Sequence, residues 1–309
     1  MPNSFLAGLP LSRYEVDRDY LTRDRADAIA ELLRDPATRV LPMFQGTVLM
    51  SGPASIALVP PSALPPAELM VYLGRSTSLT SPEPAGTPVI VAVLADAGHL
   101  AESEWGNLRK VGSRLSDRDA GLFTEALAIV NWHDSHRFSP RTGVPSVSGK
   151  AGWVRVDPTT GAEMYPRTDA AIIVGITDAD DRLLLGSNAL WESNRFSLLA
   201  GFVEPGESLE AAVVREIFEE SGLHVVDPVY LGSQPWPFPA SLMLGFTARL
   251  DTTVEALLAP DGNEILELRW FSRDELRDAL GEILLPGPTS IARSIIERWY
   301  GGPIDDGAA

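Results

Sequence analysis

Three carboxylates in the C-terminal half of the chain are spaced so that a helix would place them on one face. Glu216, Glu219 and Glu220 stand three and four residues apart, which is the spacing of neighbours along a helix surface. The same stripe is apolar in its first half, at Leu209 and Val213. A stripe that starts buried should not turn acidic, because unpaired buried carboxylates are costly. Bound divalent cations resolve this conflict, and oxygen-only ligands suit Mg²⁺ or Mn²⁺, which can bridge the phosphates of a substrate.

The helix that carries these carboxylates has predictable ends. Ser208 follows a glycine-containing loop and is the expected N-cap, and Gly222 is expected to close the helix. Arg215 offers a competing interpretation, in which the carboxylates form a solvated acidic helix end paired with this arginine. The sequence on either side of the helix distinguishes the metal site from the solvated helix end.

The segment from Gly201 reads GFVEPGESLEAAVVREIFEESGL. It fills every specified position of the pattern G-x5-E-x7-R-E-U-x-E-E-x-G-U, where U is aliphatic. This pattern is the Nudix box, and the chain resembles the Nudix hydrolase family. The resemblance implies an enzyme that hydrolyses a nucleoside diphosphate linked to another moiety, and it favours the metal site over the solvated helix end.

The resemblance also implies a role for each polar residue of the box. Two or three Mg²⁺ or Mn²⁺ ions would acidify the attacking water and neutralise the diphosphate. Glu220 is the expected general base, and Arg215 is expected to orient the carboxylates by pairing with Glu207. The implied metal ligands are Glu216, Glu219, Glu220 and the backbone carbonyl of Ala200.

A second motif, SQPWPFPAS, spans residues 233–241. Its three prolines exclude a helix and a central strand. Taken alone, the motif is equally well explained as a proline-rich loop that covers the core. Placed shortly after a Nudix box, it resembles the NADH pyrophosphatase subfamily, which cleaves NAD(H) into nicotinamide mononucleotide and AMP and is associated with removal of NAD caps from RNA. The implied substrate-lining residues are Gln234, Pro235, Trp236, Pro237, Phe238, Pro239, Ala240 and Ser241.

Four further positions match the subfamily through shorter motifs. The stretch APDGNEILELRWF places a further metal-binding glutamate at Glu264, with Glu267 as a second candidate. PGPTSIAR places a closing substrate contact at Ala292, and MYPR places a substrate-contacting tyrosine at Tyr165. Phe202 is a further candidate, because its ring could stack on a nicotinamide or adenine base. For each of these positions a purely structural role is an equal alternative.

The chain departs from the subfamily where a zinc ribbon is usual. There is no cysteine, and the four zinc-binding cysteines fall on Ser139, Thr142, Asp157 and Thr160. Hydroxyls and one carboxylate do not make a structural zinc site, but they can support Asx and ST turns. We therefore expect a ribbon-like module without zinc. The histidines are interpreted as ordinary surface or helix-end residues: His99, His133, His136 and His224.

The elements that position these motifs indicate an α+β protein. The 309 residues suggest about two domains and a small third. We expect a mixed α/β N-terminal domain at 1–132, the ribbon-like module at 133–167 and a Nudix α/β/α sandwich at 168–309. Helical spacing predicts helices over 22–35 and from Ser116. Apolar runs predict strands at 47–50, 55–59, 68–74, 88–94, 170–178 and 181–187.

Charge and composition restrict the partners. The net charge of −17 disfavours broad adhesion to nucleic acid or to anionic membranes. The apolar runs are too short for a membrane helix, and no targeting signal is apparent, so we expect a cytoplasmic protein. The resemblance implies a homodimer with its active sites near the subunit interface.

Together these features predict hydrolysis of the diphosphate bond of NAD(H) by metal-activated water. One alternative uses the same site mainly on NAD-capped RNA. Another acts on a different dinucleotide-like substrate, such as ADP-ribose or coenzyme A. A nucleotide-sensing protein without catalysis is the alternative outside enzymes, and the intact glutamates argue against it.

Overall fold

Two mixed sheets, each with its own helices, organise the chain in a computed structural model that describes residues 5, 8–192, 194–255 and 257–307. Contacts among these residues define two compact units. The N-terminal unit contains Leu11–Thr168 and Trp236–Ala240. The C-terminal unit contains Asp169–Pro235 and Ser241–Ala309, together with Met1–Pro10. The predicted three-part division at 132 and 167 stays a prediction.

The N-terminal unit is built on one sheet with the strand order β1-β5-β6-β2-β3-β4, in which β7 pairs with β3. Its strands are β1 (Val16–Asp17), β2 (Arg39–Phe44), β3 (Thr47–Gly52), β4 (Ser55–Ile56), β5 (Ala67–Ser76), β6 (Pro88–Leu94) and β7 (Trp105–Gly106). Its helices are α1 (Tyr20–Arg23), α2 (Ala28–Leu32), α3 (Leu108–Val111) and α4 (Asp117–Ser135). β6 pairs in parallel with β2 and antiparallel with β5, and its PVIVAVL run is almost entirely buried, as expected of a central strand.

Helix α4 covers the core of this unit. The Ser116 side chain accepts a hydrogen bond from the Asp119 amide, so the predicted N-cap is present. The side chains of Leu122, Phe123 and Ala126 are fully buried in the same cluster as the sheet. After α4 the chain forms a small sheet of β8 (Val147–Gly149), β9 (Val154–Val156) and β10 (Glu163–Met164) with the order β10-β9-β8.

The C-terminal unit carries the carboxylate helix on a second mixed sheet with the order β14-β15-β11-β12-β16, in which β13 pairs with β11. Its strands are β11 (Asp169–Thr177), β12 (Leu183–Asn188), β13 (Leu199–Phe202), β14 (Val225–Trp236), β15 (Ser241–Leu250) and β16 (Ile265–Phe271). Its helices are α5 (Leu209–Ser221), α6 (Arg273–Ala279) and α7 (Ile291–Tyr300). β11 runs parallel to β15 and antiparallel to β13, and α5 buries Ala212, Val213 and Ile217 against this sheet.

Two local predictions are wrong in extent. The helix over 22–35 is replaced by the short helices α1 and α2, separated by the turn around Asp24. Arg23, the last residue of α1, stacks on Trp153 with 3.7 Å between guanidinium carbon and ring centroid. The strand over 55–59 ends at Ile56: the Ala57 amide still donates to the Leu49 carbonyl of β3, but Val59 bonds to Val40 of β2 instead, so the segment changes partner strand after Ala57. Within the described ranges, no helix is long and apolar enough to cross a membrane.

Candidate active site

Helix α5 presents the carboxylates because both of its ends are fixed. The Ser208 side chain accepts a hydrogen bond from the Ala211 amide, and Gly222 ends the helix in the left-handed conformation. At the start of the motif, Gly201 leaves room for the Glu216 carboxylate, since a Cβ at position 201 would lie 1.5 Å from its Oε1. The glycine therefore lets the glutamate lie directly against the β13 backbone.

Arg215 holds three carboxylates in place. Its Nε and Nη2 donate to the two oxygens of Glu207 at 2.8 and 2.9 Å, which is the predicted pairing. Its Nη1 donates to Glu219 at 2.8 Å and also to Glu216, and its Nη2 donates to the carbonyl of Phe202. The hydrogen bonds with Glu207 raise the pKa of Arg215, so this fork stays charged and orients the acidic cluster.

Glu220 is the most buried carboxylate of the cluster, with 6% of its surface exposed. Burial, and after it the nearby charges of Glu216, Glu264 and Asp261, raise the pKa of Glu220 to about 8, while the Ala200 amide opposes the shift. Its Oε2 atom is buried without a hydrogen-bond partner among the described residues. An acidic oxygen left in this way is costly unless a cation or a proton compensates it.

Glu264 is the better of the two predicted outer glutamates. It lies just before β16, where the Asp261 carboxylate accepts hydrogen bonds from the Glu264 amide at 3.1 and 3.2 Å. Its charge raises the pKa of both Glu216 and Glu220, so it faces the same site. Glu267 instead pairs with Arg269 at 2.5 Å. The structure thus brings Glu264, but not Glu267, into the acidic cluster.

The donor set fits a divalent cation. The candidate ligands on Glu216, Glu219, Glu220 and Glu264 are all carboxylate oxygens, which Mg²⁺ and Mn²⁺ prefer. Glu220 Oε2, which has no hydrogen-bond partner among the described residues, marks a point where a cation or a proton is needed. No group of three or more acidic or histidine side chains in the described parts of the chain already surrounds one point as metal ligands. Arg215 draws Glu216 and Glu219 to itself, and Asn188 donates to Glu264 at 3.4 Å.

The motif at 233–241 divides between the two units. Gln234 is fully buried in β14, where its Nε2 donates to the carbonyl of Thr289 at 3.1 Å. Residues 233–236 continue β14, which is an edge strand of its sheet. An edge strand tolerates Pro235, so the sequence-based exclusion of a central strand agrees with its position. Pro235 and Pro239 are exposed, Ala240 and Ser241 are half-buried, and Ser241 begins β15.

The aromatic part of this motif belongs to the N-terminal unit. The rings of Trp236 and Phe238 meet edge to face with 4.9 Å between centroids, and the guanidinium of Arg109 lies 3.9 Å from the Phe238 ring centroid and 5.0 Å from that of Trp236. Asn131 Nδ2 donates to the carbonyls of Pro237 and Pro239. A cleft of about 670 Å³ adjoins this contact. Its walls include Gln45, Asn107, Asn131, Trp132, His136, Arg167 and Pro237–Ala240.

Three other predicted substrate residues lie in different surroundings. Phe202 is 59% exposed at the end of β13, so its ring is free to stack. Tyr165 is 64% exposed, and its hydroxyl donates to Glu163 at 2.6 Å. Ala292, in contrast, is 2% exposed and packs in the core of the C-terminal unit. Its side chain is therefore a packing group, and only the position of the adjoining backbone can serve a ligand.

The ribbon-like module is held by oxygen atoms at the expected zinc-ligand positions. Thr142 Oγ1 donates to the buried Asp157 carboxylate at 2.6 Å, and the amides of Thr159 and Thr160 donate to its other oxygen at 2.8 and 3.2 Å. The hydroxyls of Ser139 and Thr142 hold the pKa of Asp157 well below its usual range. The Asp157 carboxylate therefore accepts the Thr142 hydroxyl of one turn and two amides of the other, while the Arg141 and Thr142 amides donate to the Ser139 hydroxyl.

Sequence reasoning missed Arg109, Asn131 and His133. Arg109 and Asn131 lie in segments without a recognisable motif, and they contact the 236–240 segment only in the folded chain. His133 was expected at the surface or at a helix end; it lies in the last turn of α4 but is buried. Arg155 donates to its Nδ1 at 2.9 Å, so its Nε2 donates to the carbonyl of Gly152 at 2.7 Å. The helical spacing that places His133 on the buried face of α4 could have predicted that its side chain is buried.

A mixed sheet carrying a helix with one buried glutamate and an arginine-held group of carboxylates is a hydrolase site of the Nudix class. A model of the NUDIX domain matches residues 166–287, and a model described as NADH pyrophosphatase-like rudimentary NUDIX domain matches residues 37–132. The chain belongs to the Nudix hydrolase family, whose members generally use divalent metal ions.

Several curated relatives align over most of the chain. It is 44% identical to the NAD-capped RNA hydrolase NudC of Mycobacterium tuberculosis (strain ATCC 25618 / H37Rv), over 94% of this chain and 94% of the relative. The same values hold for the protein of that name in Mycobacterium bovis (strain BCG / Pasteur 1173P2). The NAD-capped RNA hydrolase NUDT12 of Homo sapiens is 34% identical over 60% of this chain and 43% of its own length.

Proposed function

We propose that this protein hydrolyses the diphosphate bond of NAD(H) to give nicotinamide mononucleotide, reduced or oxidised, and AMP. The observation that carries the proposal is the buried Glu220 on a complete Nudix helix: its Oε2 has no hydrogen-bond partner among the described residues, and the carboxylates of Glu216 and Glu264 lie near it. The SQPWPFPAS motif in the same chain narrows the substrate to a dinucleotide, because it resembles the NADH pyrophosphatase subfamily.

The catalytic cluster is assigned as follows. Glu216, Glu219, Glu220, Glu264 and the carbonyl of Ala200 would hold two or three Mg²⁺ or Mn²⁺ ions, which acidify water and neutralise the diphosphate when bound. Glu220 takes the proton of the attacking water, since it is the most enclosed carboxylate of the cluster. Arg215 positions Glu207, Glu216 and Glu219 and does not touch the substrate.

Recognition of the dinucleotide is assigned to flat apolar side chains. Phe202 and Tyr165 are exposed aromatic residues that can stack on a base. Trp236 and Phe238 form a rigid pair that Arg109 covers from one side. We assign the working form as a cytoplasmic homodimer in which the ribbon-like module holds no zinc.

A second candidate is hydrolysis of the NAD cap of RNA by the same residues. Relatives that align over 94% of the chain carry the name NAD-capped RNA hydrolase. Both reactions break the same diphosphate bond, so one active site serves both, and only the part of the substrate beyond AMP differs.

One substrate panel tests the proposal. NADH, NAD⁺, an NAD-capped RNA, ADP-ribose and coenzyme A are incubated separately with the protein and Mg²⁺ or Mn²⁺, and the products are separated by chromatography. We expect reduced nicotinamide mononucleotide and AMP from NADH, and at least about a hundredfold slower product formation by the Glu220→Gln variant. Faster cleavage of ADP-ribose or coenzyme A, or no cleavage of any substrate, would overturn the assignment. Faster cleavage of capped RNA would favour the second candidate.

A further inference from the structure

The connection between β15 and β16 ends in a tight turn that leads into Glu264. The Asp261 carboxylate accepts the Glu264 amide at 3.1 and 3.2 Å and the Ile265 amide at 2.7 Å. The Gly262 amide donates to the Ile265 carbonyl at 3.1 Å, and Gly262 adopts the left-handed conformation. One aspartate side chain therefore folds the backbone that carries Glu264.

The backbone of Glu264 is held from both sides. Its amide is bonded to Asp261, and its carbonyl accepts the Ala189 amide at 2.8 Å, just after β12. Asn188 pairs with Ile265 across the two strands, and its Nδ2 donates to Glu264 Oε1 at 3.4 Å. None of these contacts supplies positive charge, so they fix the residue without neutralising its carboxylate.

The same connection passes over the C-terminal end of helix α5. The Ala259 amide donates to the carbonyl of Ser221 at 2.9 Å. A Cβ at position 222 would lie 2.9 Å from the carbonyl oxygen of Leu257, so Gly222 allows the connection to approach the helix end closely. These two contacts place the connection beside the last turn of α5, which carries Glu220.

The turn adjoins the acidic cluster. Ile265 is buried in the same hydrophobic cluster as Ile217 of α5, so β16 and this helix share one core. The charges of Glu264 and Asp261 both raise the pKa of Glu220, as expected of carboxylates that lie near it. Like charges so placed repel one another, and a divalent cation bound among them removes the repulsion.

We infer that Asp261 is a positioning residue, which holds Glu264 in place for a divalent cation through the hydrogen bonds of its turn. This inference rests on the proposed function, in which Glu264 is one of the metal ligands. It adds a residue outside the Nudix box that acts through backbone amides. Both oxygens of Asp261 accept amides of the turn, so the residue is assigned as a support of a ligand and not as a ligand.

The test measures Mn²⁺ binding to the full-length protein without substrate, from the electron paramagnetic resonance signal of the free ion. Asp261→Ala should raise the Kd for Mn²⁺ about tenfold, the lower end of the effect of removing a group that orients a metal ligand. Asp261→Asn should stay within about threefold of the wild type, because asparagine offers the same acceptor oxygen to the turn. Equal losses in both variants would show that the charge of Asp261 acts instead of its turn, and would overturn the inference.

The matched control is Asp251→Ala, at the other end of the same connection. Asp251 forms a similar turn, in which its Oδ1 accepts the amide of Thr253 at 2.9 Å and the hydroxyl of Thr253 at 2.6 Å. Thermal melts establish that both alanine variants are folded. Only Asp261→Ala should weaken Mn²⁺ binding. An equal weakening in Asp251→Ala would overturn the inference, because the loss of either turn would then have the same effect.

A double-mutant cycle with Glu264→Gln shows whether Asp261 acts through Glu264. If it does, the losses of Mn²⁺ affinity in Asp261→Ala and Glu264→Gln are less than additive. Additive losses would show that the two residues act independently, which would overturn the positioning role.

Failure of the proposed function gives a different pattern of results. Wild-type protein that binds no Mn²⁺, or Glu264→Gln protein that binds it as the wild type does, would contradict the proposed metal site and the inference with it. Weaker binding by Glu264→Gln together with unchanged binding by Asp261→Ala would overturn the inference alone.

Discussion

Glu220 combines two properties that a solvated acidic helix end would not have. It is buried, and one of its oxygens has no hydrogen-bond partner among the described residues. The neighbouring carboxylates Glu216 and Glu264 add negative charge around it. At the residue scale, this concentration of uncompensated acid is the strongest sign of a cation site, because structural ion pairs would supply the missing positive charge from the protein itself.

Replacing Glu220 by glutamine should lower kcat at least about a hundredfold, the usual contribution of a general base. The amide keeps the shape of the side chain but binds metal weakly and accepts no proton from water. The measurement is kcat for NADH at saturating metal. The matched control is Glu210→Gln, an exposed residue in the first turn of the same helix. Full activity of Glu220→Gln would contradict the assignment of Glu220 as the general base.

Glu125 predicts a pH dependence of stability in the N-terminal unit. Burial raises its pKa from 4.5 to about 7, while Arg18 and Arg23 oppose the shift. Because the folded-state pKa is raised, the stabilising contribution is complete below about pH 4.5 and is lost as the pH rises through 7. The rise corresponds to roughly 3 kcal/mol of unfolding free energy.

Glu125→Gln should remove this dependence. Denaturant unfolding at pH 5 and pH 8 should therefore show a variant that gains stability relative to the wild type at the higher pH. The exposed Glu68 provides the control, since Glu68→Gln should follow the wild type at both values. An equal difference between Glu125→Gln and the wild type at both pH values would contradict this reading of the buried carboxylate.

At the scale of elements, the sequence predicted a helix most accurately where its capping residues and its apolar stripe indicated the same bounds. Helix α5 has an N-cap serine, an apolar stripe and a closing glycine, and all three are found in place. The 22–35 segment has the stripe alone: it forms two short helices, and neither Asp19 nor Asp27 makes a side-chain cap hydrogen bond. Arg23 packs there on Trp153, a contact remote in sequence that no local pattern marks.

In the candidate site too, contacts within one motif could be predicted from the sequence, whereas contacts between distant segments could not. The pairing of Arg215 with Glu207 could be anticipated from the motif, since both residues belong to it. The buried bond from Gln234 to Thr289 and the stacking of Arg109 on Phe238 join segments with 54 or more residues between them. No local pattern marks such contacts, so the sequence could not anticipate that the Gln234 side chain is fully buried.

Trp236 and Phe238 should determine substrate preference more than turnover. Their mutual edge-to-face contact and the cover of Arg109 fix two flat faces in the 236–240 segment. Alanine at either position should lower kcat/KM for NADH more than for the smaller ADP-ribose, which lacks the second base. The control is Tyr20→Ala, an aromatic residue that is 70% exposed elsewhere in the same unit. Equal losses of kcat/KM for NADH and for ADP-ribose would show that Trp236 and Phe238 have only a structural role.

At the scale of the whole molecule, the ribbon-like module is predicted to keep its shape without zinc. A structural zinc site contributes about 10–16 kcal/mol of apparent binding energy in finger peptides, so a module without one depends on packing and hydrogen bonds. Asp157 gathers a hydroxyl and two backbone amides on its carboxylate. Trp153 additionally anchors the module by donating to the carbonyl of Tyr72 at 2.7 Å in the sheet of the N-terminal unit.

These contacts predict different effects of chelation and of mutation. EDTA should stop turnover by removing Mg²⁺ or Mn²⁺, but it should leave the melting temperature nearly unchanged, because no structural metal is extracted. Asp157→Ala should lower the melting temperature with or without EDTA, since it leaves the Thr142 hydroxyl and two amides without their acceptor. Elemental analysis of the purified protein should find no stoichiometric zinc. One tightly held zinc per chain, or a large drop in melting temperature on chelation alone, would show that a metal and not Asp157 organises the module.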